Sequence, residues 1–386
     1  MANEPPVTPV PLCDLQSQYR ELQPEIEAAV CRVLSSGQFI LGPEVTSLES
    51  ETAAYCGAAF GIGCGSGSDA LLLALAGMDI GPGDEVILPP FTFFATVGSV
   101  IRMGAIPVFA DIDPKTYNID PAAIAEKITP RTKAIMVVHL YGQCAEMEPI
   151  WQLGEKHGIP IIEDAAQSFG AEYQGKRCGT LGGISCFSFY PSKNLSTYGD
   201  AGMCMTSDPD WAARMRTLRG HGMDPKYFHK YVGWNARIDA LHAAMLRVKL
   251  PRVDGWTSNR QMVAARYDAL IERSRLDQFL SRPYQAPERR HVYNQYVVRV
   301  AYGQRDALVA HLKREQVGCE IYYPLSLHLQ ECIRYLGYRE GDFPVSEAAS
   351  KNVIALPMFP EMSLAQQERV IDCCAAFVRQ STRIAA

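Results

Sequence analysis

At 386 residues the chain is longer than one hydrophobic core usually serves, so two domains are expected. Its 47% hydrophobic and 20% charged content is that of an ordinary globular protein, and a net charge of -5 gives no electrostatic ground for a nucleic acid or an anionic membrane as partner. No apolar run reaches the length of a membrane span, and the proline-rich opening Met1 to Pro11, with Glu4 and no basic or apolar run, argues against a signal peptide; a cytoplasmic location is the expectation.

In chain order, residues 16–36 read as a helix with Leu22, Ile26, Ala29 and Val33 on one face, stopped by Gly37. A second helix starts after Gly42-Pro43 and passes through Val45 and Leu48 to about Tyr55. Short apolar strands then follow near 60–64, 85–89, 106–110, 133–138 and 159–162, separated by helices near 68–77, 93–103, 121–127 and 146–157. Asp120-Pro121 supplies an N-cap and a proline at the first helical position. Such alternation predicts an α/β fold with a mostly parallel central sheet flanked by helices. Beyond residue 172 the pattern changes to a hairpin tip at 172–176, strands at 184–189 and 202–206, a helix at 209–219 and a loop from Gly220 to Arg237. A long helical stretch, 239–280, is interrupted near Pro251. Strand 292–300, helix 304–316, strand 319–323 and a helix from Ser363 make a smaller α+β unit, so the expected domains are 1–250 and 251–386. Twelve cysteines lie scattered from Cys13 to Cys374 without a C-x-x-C pair, and the eight histidines form no H-E-x-x-H. Neither a disulfide framework nor a metal site is expected.

The chemistry gathers at a few points. Phe187-Ser188-Phe189-Tyr190-Pro191-Ser192-Lys193-Asn194 sets one lysine behind an aromatic run, and a lysine against apolar walls loses hydration and becomes a nucleophilic amine. On this octapeptide alone, a solvated lysine in a Ser/Asn turn is the competing reading. Ile159-Pro160-Ile161-Ile162 delivers Glu163 and Asp164 at a strand end, where open α/β sheets bind ligands; a plain N-cap is the alternative for Asp164. Glycines and serines from Gly61 to Ser68 lie between a strand and a helix, which suits a monophosphate. A dinucleotide fold is disfavoured, since Ser68 stands where the third glycine belongs and Asp84-Glu85 precede the next strand rather than end it. Pro89-Pro90-Phe91-Thr92-Phe93-Phe94 follows a strand, and an aromatic there can stack on a planar cofactor or simply join the core. A phosphate loop, an aromatic face, a strand-end acid and a desolvated lysine are the parts of a pyridoxal phosphate site.

The same residues carry a family likeness. Gly37 to Pro43, Ser66-Gly67-Ser68-Asp69-Ala70-Leu71, Gly81 to Val86, Asp111-Ile112-Asp113-Pro114, His139-Leu140-Tyr141-Gly142-Gln143, Glu163-Asp164-Ala165-Ala166-Gln167, Phe187 to Asn194 and Gly233-x-Asn235-x-Arg237-x-Asp239 resemble the DegT/StrS sugar aminotransferases over nearly the whole chain. The resemblance implies the aspartate-aminotransferase fold (fold type I), pyridoxal 5'-phosphate as cofactor, L-glutamate as donor and a keto sugar on a nucleoside diphosphate as acceptor. It implies that Lys193 bonds the cofactor and shuttles the α-proton, that Asp164 pairs with the pyridine nitrogen, that Gln167 contacts the ring hydroxyl and that Phe93 stacks on the ring. Gly67, Ser68 and Ser188 would hold the phosphate, with Asn235 and Arg237 supplied by the neighbouring subunit of a homodimer, Arg237 meeting an acidic group of donor or sugar.

Ser68 replaces the family's usual threonine, Gly183 a common aspartate, Ala201 a glycine and His242 a glutamine, without removing any group just named. Tyr322-Tyr323-Pro324 replaces a common His-Tyr-Pro and bears on the sugar, since the histidine of relatives can touch substrate. Asp14-Leu15-Gln16, Tyr141 to Ala145 and Tyr227-Phe228-His229 resemble members acting on 3-keto sugars, with His229 a substrate-side candidate or a structural loop histidine. The alternatives are a 4-keto-sugar aminotransferase, a sugar deoxygenase using pyridoxamine phosphate, a catalytically silent sugar-nucleotide-binding or regulatory homologue and a nicotinamide-dependent sugar oxidoreductase. Lys193 counts against the deoxygenase, in which a histidine replaces the lysine.

Overall fold

The computed structural model describes residues 8–384, with side chains to residue 380, so positions 1–7 of the proline-rich opening lie outside the described residues. The first helix, Leu15–Ser36, is capped by Asp14, whose carboxylate accepts the Gln16 and Ser17 amides, and it buries Leu22, Ile26, Ala29 and Val33 as its periodicity requires. Gly37, at φ 66°, closes it in the left-handed conformation that glycine adopts without a Cβ penalty. The second helix, Pro43–Cys56, is tied to the sheet through Glu49, which accepts the Gly63 amide at 2.8 Å and pairs with buried Arg219.

The central sheet uses β1 (Phe60–Cys64), β2 (Glu85–Leu88), β3 (Ile106–Phe109), β4 (Thr132–Val138) and β5 (Ile161–Asp164). After a small hairpin, β6 (Glu172–Tyr173) and β7 (Lys176–Arg177), it adds β8 (Ile184–Ser188) and β9 (Gly202–Thr206). The order is β1-β9-β8-β5-β4-β2-β3, parallel except where β9 runs against both neighbours, so the expected mostly parallel sheet is found. Side chains alternate between two cores. Ala134, Met136 and Ile162 pack with the helix Gly67–Gly77 on one face, while Ile135, Val137 and Ile161 pack with the helix Met147–His157 on the other.

One strand differs from expectation by two residues. Gly158 and Ile159 close the preceding helix, with the Ile159 amide on Gly154 O at 2.8 Å, so β5 begins at Ile161 and contains Glu163 and Asp164 rather than stopping before them. Their register is Val137 to Glu163 and Val138 to Asp164.

In the C-terminal part β10 (Leu280–Ser281), β12 (Tyr296–Val300) and β13 (Val353–Leu356) form an antiparallel sheet, while β11 (Arg289–Arg290) pairs back onto β6. Tyr267, Tyr296, Leu308, Leu312, Phe359 and Val370 share its core, which Val10 joins from the other end of the chain. The long helical stretch stops at Arg273 instead of 280, where Arg275 turns at φ 55° and the chain enters β10. The strand expected at 319–323 is not formed: Glu320 makes a single bridge to Ala355, after which Tyr322 and Tyr323 leave the sheet to line a cavity. The missing strand is β13, a short buried apolar run preceded by the helix Pro344–Asn352. Among the described residues no helix is long and apolar enough to cross a membrane.

Gly202 lets β9 pass directly over the turn at Ser66, for a Cβ there would lie 2.3 Å from Ser66 O. Gly202→Ala should therefore lower unfolding free energy by about 1–3 kcal/mol, the usual range for overpacking, as measured by urea denaturation.

Candidate active site

The carboxyl ends of β4, β5 and β8 open into a cavity of about 530 Å³, the position at which open parallel sheets bind ligands. Val138, Asp164 and Ser188 line it from those strand ends, joined by Ser66, Gly67 and Ser68 after β1, Thr92 and Phe93 after β2, Gln167 after β5 and Lys193 after β8. Gln295, Tyr322 and Tyr323 close it from the C-terminal part.

Ser66 caps the helix Gly67–Gly77, its hydroxyl accepting the Asp69 amide at 3.0 Å and its carbonyl the Ala70 amide. Among the described residues the amides of Gly67 and Ser68 have no protein acceptor, so the helix start presents N–H groups to the cavity, where an anion is favoured. A Cβ on Gly67 would stand 2.7 Å from the Ser188 Cβ, which is why the cradle closes only with glycine there.

Asp164 is buried, its Oδ2 accepting from Thr96 Oγ1 at 2.7 Å and its Oδ1 from the Ala166 amide at 3.3 Å. Burial pushes its pKa above the ordinary carboxylate value, against those bonds and the charge of Lys193. Lys193 sits on a turn closed by its own amide on Tyr190 O at 2.9 Å. Desolvation lowers its pKa to about 8, opposed by the Asp164 charge. Of the aromatic run only Tyr190 lines the cavity with Lys193; Phe187 and Phe189 pack on Phe169 in the core.

Gln167 is fixed at both ends, its Oε1 accepting the Tyr141 amide at 2.7 Å and its Nε2 donating to the Tyr323 hydroxyl at 3.0 Å. Phe93, 58% exposed, stands at the mouth with its ring 6.2 Å from that of Tyr323. Three candidates lie outside the cavity of their own chain. Asn235 is exposed and bridges Gly220, while Arg237 bridges Cys64 with its Nε buried and without an acceptor among the described residues. His229 is exposed, its Nδ1 donating to His221 O at 2.8 Å.

Sequence reasoning missed Thr96, Tyr190, Ser192, Asp200 and Gln295. Tyr190 and Ser192 stood in the octapeptide beside Lys193, and Thr96 four residues after Thr92 at the mouth of β2, whereas Gln295 arrives from a distant part of the chain. The structure also brings His139, Cys144 and Cys178 together, their side-chain donor atoms within 4.8 Å of one another. The His139 ring is committed already, Nδ1 accepting the Ala145 amide at 3.1 Å and Nε2 donating to Glu163 at 3.0 Å. Glu163 further accepts the amides of Gly179, Leu181 and Gly182 at 3.1, 2.8 and 2.7 Å and the Ser185 hydroxyl. Burial alone would raise its pKa, yet the His139 and Ser185 bonds and these amides hold it below the usual range.

The model of the DegT/DnrJ/EryC1/StrS aminotransferase family matches residues 20–375. The chain belongs to that family. DegT-family aminotransferases are pyridoxal-phosphate-dependent, and the chain is accordingly an aminotransferase of fold type I. It is 49% identical over 370 residues to a pleiotropic regulatory protein of Geobacillus stearothermophilus, covering 96% of this chain and 99% of that one. It is 43% identical to the UDP-2-acetamido-2-deoxy-3-oxo-D-glucuronate aminotransferase of Pseudomonas aeruginosa, covering 91% of this chain and 96% of that one. The crystal structure of S. venezuelae DesV in complex with a ketimine intermediate superimposes with a TM-score of 0.92 at 40% identity, covering 96% of this chain and 98% of that one.

The reactive form of a lysine is the neutral amine, present above its pKa. In the ligand-free protein an aldehyde probe should therefore label Lys193 with a midpoint near pH 8, about tenfold more slowly per unit below it, while solvated lysines respond only above about pH 10. Mass spectrometry of the borohydride-trapped adduct, with Lys193→Ala as control, checks this.

Proposed function

We propose that the chain uses pyridoxal 5'-phosphate to move the amino group of L-glutamate onto a keto sugar carried by a nucleoside diphosphate, a reaction of amino sugar biosynthesis. The observation that carries the reading is one cavity holding an anion cradle, a buried carboxylate and a lysine of lowered pKa. These residues fit the cofactor: Gly67, Ser68 and Ser188 for its phosphate, Asp164 for its ring nitrogen, Gln167 for its ring oxygen, Phe93 for its face and Lys193 for its aldehyde carbon. When bound, the cofactor supplies an electron sink for the pair left at the donor's Cα.

Lys193, desolvated and neutral above pH 8, takes the Cα proton as general base and returns it as general acid. Asp164, whose Oδ2 accepts from Thr96, would hold the ring-nitrogen proton. Across the two half-reactions glutamate's amino group replaces the sugar's carbonyl oxygen, water carries the oxygen balance, and 2-oxoglutarate leaves. Tyr322, Tyr323 and His229 are the proposed sugar-side residues.

A homodimer with shared sites accompanies this reading. Asn235 and Arg237 stand outside their own cavity, and Arg237 keeps a buried Nε without an acceptor among the described residues, as side chains serving a partner's site would. We divide the chain into a large body of 1–250 and a small one of 251–386; the cluster around Tyr267, Tyr296 and Leu308 supports the small one, while Val292, Leu327 and Ile333 pack into the cores of the large one. The glucuronate relative favours a 3-keto over a 4-keto acceptor, UDP- or dTDP-linked, and we take the enzyme to work in the cytoplasm. The Geobacillus relative's name favours a second reading, a silent regulatory homologue. Lys193 and Asp164 set in one cavity weigh against it.

Adding L-glutamate to the purified holoenzyme should change its visible absorption and release 2-oxoglutarate, with ping-pong kinetics once a keto sugar is supplied. Lys193→Ala should cut turnover by a factor of roughly 100 to 10,000, the range for losing a general acid–base. A protein that takes up no pyridoxal phosphate would hand first place to the regulatory reading.

A further inference from the structure

Asp164 does not stand alone in the cavity wall. Its Oδ2 accepts from Thr96 Oγ1 at 2.7 Å, and Thr96 Oγ1 lies 3.1 Å from Thr92 Oγ1. Thr92, Thr96 and Asp164 are all buried, so solvent does not compete for these bonds. An ionised carboxylate only accepts, and each hydroxyl has one proton. Thr96 therefore gives its proton to Asp164, and Thr92 gives its own to Thr96, so the three groups run in a single direction. Among the described residues the carboxylate's other oxygen keeps only the long 3.3 Å bond from the Ala166 amide, and it is the oxygen with capacity left for a ligand. The backbone on either side is pinned as well, by the His139 amide on Asp164 O at 3.0 Å and the Ala165 amide on Cys186 O at 2.9 Å.

We propose that Thr96, oriented by Thr92, is the positioning residue that holds Asp164 in one rotamer and in its charged form, so that its free oxygen meets the ring nitrogen of the bound cofactor. The inference rests on the role given to Asp164 above. Burial works against a charged Asp164, and among the groups opposing burial the Thr96 hydroxyl is foremost. Removing it leaves a buried carboxylate with one weak bond, free to take up a proton or turn from the ring. Either outcome weakens cofactor binding and removes the ring-nitrogen proton that the chemistry requires.

The test compares wild-type protein with Thr96→Val, Thr96→Ser, Thr92→Val and Asp164→Asn. The readouts are fluorescence titration of each apoprotein with pyridoxal phosphate, apoprotein Tm, and kcat and KM for L-glutamate in the loaded enzymes. A hydrogen bond to a charged group is worth roughly a factor of ten or more in an equilibrium, so Thr96→Val should weaken cofactor binding about tenfold and lower kcat comparably, with KM little changed. Thr96→Ser, which keeps the hydroxyl, should stay within about twofold of wild type, and Thr92→Val should lose about threefold, since it frees the rotor without removing it. Wild-type affinity and kcat in Thr96→Val, or Thr96→Ser as impaired as Thr96→Val, overturns the proposal. Should Thr96→Val not fold, Thr92→Val decides, wild-type behaviour there overturning it. Wild-type behaviour in Asp164→Asn would instead overturn the role of Asp164 itself, and this inference with it.

Discussion

The site hangs on a carboxylate that never touches it. Glu163 and Asp164 are neighbours on β5, and the two-residue period of a strand sends them to opposite faces of the sheet. Glu163 enters the core on the side of Ile161, where a charge is tolerated only if its lone pairs are met. They are met by His139, by the loop amides of Gly179, Leu181 and Gly182 and by Ser185, so the loop 179–182 and strands β4 and β8 are locked to one residue of β5. A slip of β5 by one position would bury Asp164 among apolar groups and turn Glu163 into the cavity. The charge on the far face thus sets which carboxylate faces the ligand.

Much of this was legible in the residues. The stripe Leu22, Ile26, Ala29, Val33 and the stop at Gly37 give the first helix its bounds, because amphipathic period and left-handed caps are local properties. Lys193, Asp164 and the Gly67-Ser68 turn were found because strand ends and helix starts concentrate chemistry in α/β folds. Other features depended on tertiary partners and were not. Cys319 to Tyr323 has a strand's composition, yet its ladder partner β13 holds it at Glu320 alone. Phe187 and Phe189, close to Lys193 in sequence, face the core, and the cavity into which the lysine opens is lined by residues brought from other segments. Glu163 read as a second strand-end acid because nothing local reveals the ring of donors around it.

The cavity is assembled from both ends of the chain. Helix starts and strand ends of the first 200 residues supply its floor, and Gln295, Tyr322 and Tyr323 supply a wall. That wall is attached to the floor by specific bonds, for the Tyr141 hydroxyl donates to Tyr322 O and Gln167 donates to Tyr323. Of the departures from the family pattern, tyrosine for histidine at 322 falls on this wall, whereas serine for threonine at 68 falls on the floor and keeps its hydroxyl.

Gln167 shows how finely such a floor discriminates. Its carbonyl is spent on the Tyr141 amide, which forbids the side chain from flipping, and one of its two amide protons is spent on Tyr323. What remains is one N–H and one lone pair of the carbonyl, both held in fixed directions by the two bonds already made. A planar group set against the amide nitrogen is held if it accepts, while one that only donates must lie on the carbonyl side instead, so the pinned amide fixes the orientation of what binds beside it without any steric clash.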